Sequence, residues 1–243
     1  MKPVLITGAA SGIGLAITRL LLSRGVAIVR IDIDPMPDLG PQAHGIQADL
    51  SDPAQIQAAI AEALAIQPGI DGLVNCAGIF PVTPILEMTT DEWDAVLSVN
   101  LRAPFLVTQA MARHWQQTAS RCKVVNVAST AAVLARPGVA HYASSKAGLI
   151  QLTKVMAIEL APLGIQVNAV APGLIATEKV VAHAAGEGAA EHRAKLARIP
   201  AAREGQPEEV ARAINWLLSE DSSYATGSVL TLDGGFTLGI PAY

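Results

Sequence analysis

The first apolar run, Val4-Leu5-Ile6-Thr7, breaks into Gly8-Ala9-Ala10-Ser11-Gly12-Ile13-Gly14 and then into Leu15-Ala16-Ile17-Thr18-Arg19-Leu20-Leu21-Leu22. A short apolar strand, a glycine-spaced turn and a run of good helix formers ending at Gly25 predict a strand–turn–helix unit. Glycines at 8, 12 and 14 allow a tight turn and close backbone approach. The amides at the start of the helix then form an anion site suited to a pyrophosphate. The next apolar run, Ile28-Val29-Arg30-Ile31, ends in Asp32, where an acid after the second strand accepts hydrogen bonds from ribose hydroxyls.

The same alternation runs to the end of the chain. Strands are predicted near 3–7, 26–32, 44–48, 71–75, 122–128, 165–171 and 228–232. Helices are predicted over 13–24, 53–66, 91–117, 140–162 and 207–219, with looser helix at 178–198. This is an α/β pattern: one Rossmann-type, doubly wound parallel sheet of about seven strands with helices on both faces. No repeat, charge run or linker divides the chain, so residues 1–243 read as a single domain. The interval 33–43 is short and carries three prolines (Pro35, Pro37, Pro41), which predicts a loop rather than a crossover helix.

Tyr142-Ala143-Ser144-Ser145-Lys146 places a phenol and an amine one turn apart on the same helix face. Neither group titrates near neutrality alone, at about 10 and about 10.4. A nearby ammonium favours the phenolate, so Tyr142 is expected to have a lowered pKa and to exchange a proton with an alcohol or carbonyl.

Taken together these motifs resemble the short-chain dehydrogenase/reductase family in its compact single-domain form. The likeness rests on Thr7-Gly8 through Gly12-Ile13-Gly14, Asn75-Cys76-Ala77-Gly78, Asn100, Ser129, Tyr142, Lys146, Pro172-Gly173-Leu174-Ile175-Ala176-Thr177 and Asp233-Gly234-Gly235. Cys76 stands where the family has a second Asn. The resemblance implies Asn100, Ser129, Tyr142 and Lys146 as catalytic residues: Tyr142 the proton carrier, Ser129 holding the substrate oxygen, Lys146 bonding the nicotinamide ribose, Asn100 holding a water. It implies cofactor contacts at Gly8, Ser11, Gly12, Ile13, Gly14, Asp32, Asp49, Leu50, Asn75, Ala77, Gly78, Tyr142, Lys146, Pro172, Gly173, Ile175 and Thr177. Asp49 is expected to meet the adenine amine; Thr177 and the Ile175 amide are expected to anchor the carboxamide. Asp32 selects NAD, because Ser11 and Ile33-Asp34 offer no cation to a 2′-phosphate; Arg30, two residues before Asp32, shares its sheet face.

Composition adds exclusions. Of 243 residues, 51% are hydrophobic and 16% charged, with a net charge of −4, which gives no electrostatic footprint for nucleic acid or an anionic membrane. Cys76 and Cys122 read as reduced thiols, and no metal site is expected. The chain opens almost directly into a strand and its apolar helix carries Arg19 and Arg24, which suggests a cytoplasmic protein. The partners expected are a small alcohol or ketone and further copies of the chain. Small and apolar residues of the two long helices (Ala110, Ala112, Ala143, Ala147, Leu149, Leu152) imply, by resemblance, a homotetramer. Segment 178–205 reads as a substrate lid, with His183, His192 and Arg193 solvated; Arg136 and His141 are placed to reach a polar or anionic substrate. Ala135-Arg136-Pro137-Gly138, the missing crossover helix and Gly234-Gly235-Phe236-Thr237-Leu238-Gly239 resemble 2,3-dihydro-2,3-dihydroxybenzoate dehydrogenases. A non-catalytic NAD sensor is the other class of reading; the Tyr142–Lys146 pair argues for the enzyme.

Overall fold

The computed structural model describes residues 3–118, 121–186 and 188–239, with backbone alone at 183 and 191. Seven short apolar runs become strands: β1 (Val4–Thr7), β2 (Ile28–Asp32), β3 (Ala43–Gln47), β4 (Gly72–Asn75), β5 (Cys122–Val127), β6 (Ile165–Pro172) and β7 (Val229–Leu232). Between them lie α1 (Gly12–Leu22), α2 (Pro53–Ile66), α3 (Thr90–Leu97), α4 (Ala103–Thr118), α5 (Ala140–Leu160), α6 (Glu178–Ala185), α7 (Ala189–Leu196) and α8 (Pro207–Leu218). The strands form one sheet in the order β3-β2-β1-β4-β5-β6-β7, and every pair is parallel. The order runs outward from β1 to β3 and then returns to β4 on the other side. That reversal opens a crevice beyond the carboxyl ends of β1 and β4.

Side chains alternate across the sheet. Leu5, Val29, Leu73 and Val124 point to one face, where residues of α2, α4 and α5 cover them. Val4, Ile6, Ile28, Val74 and Val125 point to the other, under α1 and α8. Ile17 and Leu21 of α1 are fully buried there, each contributing about 1.5–3 kcal/mol.

Residues 33–42 form no helix, although β2 and β3 pair in parallel. Arg30 holds this loop. Its side chain is buried, with Nη1 donating to the Pro37 carbonyl at 2.9 Å and Nη2 to the Ala43 carbonyl at 2.8 Å. Gly45, opposite Arg30 in the register, leaves the guanidinium its room: a Cβ there would lie 3.7 Å from Nη2 and 3.1 Å from Met36 Cε.

The helix predicted over 91–117 is interrupted. A π-helical turn at Ser98–Arg102 separates α3 from α4. Pro104 supplies the physical reason: it has no N–H for the Asn100 carbonyl four residues back, and its ring crowds that carbonyl. The looser helix expected over 178–198 takes the form of two short helices, α6 and α7. Asp52 caps α2 by accepting the Ala54 amide at 2.8 Å.

Candidate active site

The glycine turn closes because three of its positions cannot carry a side chain. Gly8 has φ +67°, and a Cβ there would stand 2.6 Å from the Ala77 backbone; a Cβ on Gly14 would stand 2.0 Å from the Gly8 carbonyl oxygen. Gly12 has φ +52° and lies against the Thr177 methyl group. Thr7 clips the strand ends together: its hydroxyl accepts the Cys76 amide at 3.1 Å and the Ala77 amide at 3.2 Å. Sequence reasoning gave Thr7 no role of its own. Ser11 is the N-cap of α1, but its side chain caps no amide and the first turn holds no acid. The amides of Gly12, Ile13 and Gly14 therefore face outward at the positive end of the helix dipole.

Asp32 sits at the rim of this turn. One carboxylate oxygen accepts the Ala10 amide at 2.8 Å and the other the Asp34 amide at 3.1 Å. Asp49 turns its carboxylate back to the Ser51 amide at 2.8 Å, and Leu50 beside it is buried. The Asn75 side chain points away from the crevice: its amide donates to Thr108 Oγ1 at 3.0 Å and Asn126 Oδ1 at 2.8 Å. Only the backbone from Asn75 to Gly78 borders the crevice. Gly173 packs under Asp233, where a Cβ would lie 2.8 Å from the Asp233 Cβ, and its amide donates to the Leu232 carbonyl at 2.9 Å. Ile175 is buried and bridges to Gly205; the Thr177 amide donates to its carbonyl at 2.8 Å. Arg30, with both terminal nitrogens spent on the loop carbonyls, does not share the rim with Asp32.

At the far end of the crevice the Ser129 hydroxyl lies near the Tyr142 hydroxyl and acts to lower its pKa. Ser129 lies two residues past β5 and caps the short turn Thr130–Ala132, accepting the Ala131 amide at 3.1 Å. Phe80 stands edge-on to the Tyr142 ring at 4.4 Å, and the Arg136 guanidinium lies 4.9 Å from the Phe80 centroid. Lys146 is buried, donates to the Val127 carbonyl at 2.8 Å, and has its Nζ 5.7 Å from the Tyr142 ring centroid. Burial pulls its pKa from the ordinary 10.5 down to about 8.

The phenol departs from the sequence expectation. Burial raises the Tyr142 pKa, outweighing the Ser129 hydroxyl and the charge of Arg136, which both lower it. Lys146 does not reverse this, because its ammonium is turned to a backbone carbonyl. Cys76 is half-buried, and desolvation pushes its thiol up to about 12.

Asn100 is fully buried in the π-helical turn. Its side chain is spent on Ile79, accepting the amide at 2.9 Å and donating to the carbonyl at 2.9 Å, with Ser145 Oγ at 3.3 Å. Pro104, four residues on, has no N–H to give the Asn100 backbone carbonyl. His141, expected to reach a substrate, is fully buried against Glu92 instead. His192, expected to be solvated, pairs with Glu204 at 3.1 Å. Arg193 is exposed, and the His183 side chain lies outside the described residues. Among the described residues there is no cluster able to hold a metal ion and no helix long and apolar enough to cross a membrane.

Residues 8–237 match a family model described as enoyl-(acyl carrier protein) reductase. The chain is 40% identical to the 3-oxoacyl-[acyl-carrier-protein] reductase FabG of Thermotoga maritima over 98% of both chains. The chain belongs to the short-chain dehydrogenase/reductase family. It is 37% identical to the NAD-dependent glycerol dehydrogenase of Listeria innocua, covering 98% of this chain and 94% of that one. Among solved structures, a 4-hydroxyisoleucine dehydrogenase complexed with NADH superimposes with a TM-score of 0.90 at 31% identity, covering 98% of this chain and 100% of that one. This short-chain dehydrogenase/reductase is thus an oxidoreductase of a nicotinamide dinucleotide. The outward amides of α1, the glycine approach to Ala77 and the acid at the rim fit that cofactor.

Burying Lys146 has a consequence for stability. Below about pH 8 the amine is charged in both folded and unfolded chains and the burial penalty is complete. Between about 8 and 10.5 the folded protein has released a proton that the unfolded chain keeps, so stability rises with pH. Urea denaturation of wild type and Lys146→Met should show a difference that shifts in favour of wild type across this window, by up to about 3 kcal/mol. A difference flat in pH would mean that the lysine is not desolvated.

Proposed function

We propose that this protein is an NAD-dependent dehydrogenase or ketoreductase that interconverts a secondary alcohol and its ketone, with Tyr142 as general acid and base. The observation that carries this reading is the buried Lys146 one turn along the helix from Tyr142, its Nζ 5.7 Å from the Tyr142 ring centroid, with Ser129 near the phenol. Bound nicotinamide supplies or accepts the hydride. The amides of Gly12, Ile13 and Gly14, with Ser11 and Gly8, hold the pyrophosphate. Asp32 takes the adenine ribose hydroxyls, and Asp49 and Leu50 border the adenine. The backbone of Asn75, Ala77 and Gly78 floors the ribose. Pro172, Gly173, Ile175 and Thr177 hold the carboxamide end.

In reduction, Ser129 fixes the carbonyl oxygen and Tyr142 donates its proton to that oxygen; in oxidation Tyr142 takes the proton back. The raised pKa keeps the phenol protonated and ready to donate. Lys146 bonds the nicotinamide ribose hydroxyls and relays a proton through water at the Asn100 carbonyl. The residues 178–205, carrying α6 and α7, act as a lid over a single catalytic domain. Exposed Phe105 on α4, together with Val155 and Ile158 on α5, supports burial of these helices in a homotetramer; Ala112 and Leu149 belong instead to the core of one chain. The protein acts in the cytoplasm on a small molecule.

Tyr142→Phe keeps the ring packed against Phe80 and removes only the titrating hydroxyl. Activity against a panel of secondary alcohols and cyclic diols should fall by at least ~10²-fold while NADH binding, followed by nicotinamide fluorescence, persists. Near-normal turnover would remove Tyr142 from the role.

Cofactor choice follows from charge at the rim. A 2′-phosphate beside Asp32 meets repulsion of around 4 kcal/mol per charge pair at ~4 Å and an effective dielectric near 20, less whatever relaxation recovers. Steady-state kinetics should therefore favour NAD over NADP by roughly 10²–10³ in kcat/KM. Equal efficiency, or preference for NADP, contradicts this.

A further inference from the structure

Helix α5 begins at the catalytic end of the crevice without an ordinary cap. Its N-cap residue is Val139, whose side chain offers no acceptor to the first-turn amides. One of those amides belongs to Tyr142. His141, the residue just before it, accepts that N–H on its own Nδ1 at 2.8 Å. Because Nδ1 accepts, the ring is neutral and carries its proton on Nε2. Nε2–H in turn donates to Glu92 Oε1 at 3.1 Å, and the same oxygen accepts the Thr83 hydroxyl at 2.5 Å. These two donors hold the Glu92 carboxyl below the usual carboxylate range, Thr83 contributing more. Glu92 is itself fixed, since its amide donates to the Thr89 cap at 3.2 Å. The chain of contacts closes through the Thr83 amide, which donates to the Gly138 carbonyl at 2.9 Å, on the loop leading into α5.

We propose that His141 is a positioning residue for the reaction: the Glu92 carboxylate orients the buried imidazole, and the imidazole fixes the backbone amide of Tyr142 and so the place of its phenol. This rests on the reading of Tyr142 as the proton carrier. The peptide on the other side of Tyr142 is held separately, by Ser145 Oγ donating to the Tyr142 carbonyl at 2.7 Å. With His141 in place the tyrosine backbone is tied on both sides, and its ring leans on Phe80, in the segment that also carries Thr83. Without Glu92 the imidazole is free to carry its proton on Nδ1, where it opposes the Tyr142 N–H instead of accepting it. A catalytic group displaced by ~1 Å loses roughly 10²-fold in rate, so a small shift at this amide is read in kcat.

Two substitutions separate positioning from packing. His141→Phe keeps the buried ring and removes both polar contacts; His141→Asn keeps an acceptor at the Nδ1 position and loses volume. Each is assayed for kcat, KM, NADH affinity by fluorescence and melting temperature, beside Tyr142→Phe. Positioning requires that His141→Phe lose about 10- to 100-fold in kcat with NADH affinity unchanged, and that His141→Asn stay within roughly 3-fold of wild type. Normal kcat in His141→Phe, or equal losses in both variants, overturns the proposal. If His141→Phe does not fold, Glu92→Ala decides: kcat must fall with NADH affinity retained, and unchanged kcat overturns the proposal. An active Tyr142→Phe would instead overturn the reading of Tyr142 itself, whereas an inactive Tyr142→Phe beside a fully active His141→Phe removes only the positioning role.

Discussion

A lysine ammonium sealed inside a protein is costly, and the site is arranged around the one at Lys146. Its Nζ has the Val127 carbonyl at the end of β5, and the neighbouring positions are spaced to admit it. A Cβ on Gly78 would press on Asn100 Oδ1 at 3.3 Å and reach ordinary contact with that nitrogen at 3.6 Å. The π-helical turn carries Asn100 to the same place and leaves its carbonyl without an α-helical partner. Desolvation acts on the two titrating groups in opposite senses, lowering Lys146 and raising Tyr142. Both shifts favour the neutral form. The pair rests as a protonated phenol beside an easily deprotonated amine, a state from which a proton can be given without a second charged group in the core.

The parts of this arrangement that were legible in the sequence are those set by local geometry. Gly8 and Gly14 announce themselves because a Cβ would strike backbone, Gly12 because its φ is positive and a Cβ would press on Thr177, and Tyr142 and Lys146 because helical spacing alone stacks them. The absence of a crossover helix between Asp32 and Ala43 could be read from its prolines. What anchors that loop could not, since Arg30 bonds main-chain carbonyls that have no sequence signature. The break at Asn100 did have a signal, Pro104 four residues later, that a count of apolar periodicity passes over. The direction of the Tyr142 shift was misread because spacing shows that an ammonium is near but not where it points. His141 was misassigned for a related reason: its partner Glu92 lies on another helix, far away in the chain.

The surface around Phe80 is built from a different kind of residue. Phe80, Val82, Ile85 and Leu86 are exposed on the segment after β4, and Val133 on the loop before α5. Arg136, over the Phe80 ring, brings a positive charge that acts on Tyr142. Proteins named as reductases of acyl carrier protein thioesters and as glycerol dehydrogenases share this chain's length and frame. The polar chain from Thr83 through Glu92 to His141 joins the segment after β4 to the start of α5.

The account stands on Tyr142 being the group that meets the nicotinamide. Ultraviolet titration of phenolate in wild type minus Tyr142→Phe isolates this hydroxyl, with and without saturating NAD. Alone, the phenol should titrate above the ordinary value of about 10, as its burial requires. The positively charged ring of NAD beside it favours phenolate, so the bound protein should titrate roughly one unit lower or more. A phenol that titrates at the same pH with and without NAD would place the cofactor elsewhere and contradict the account.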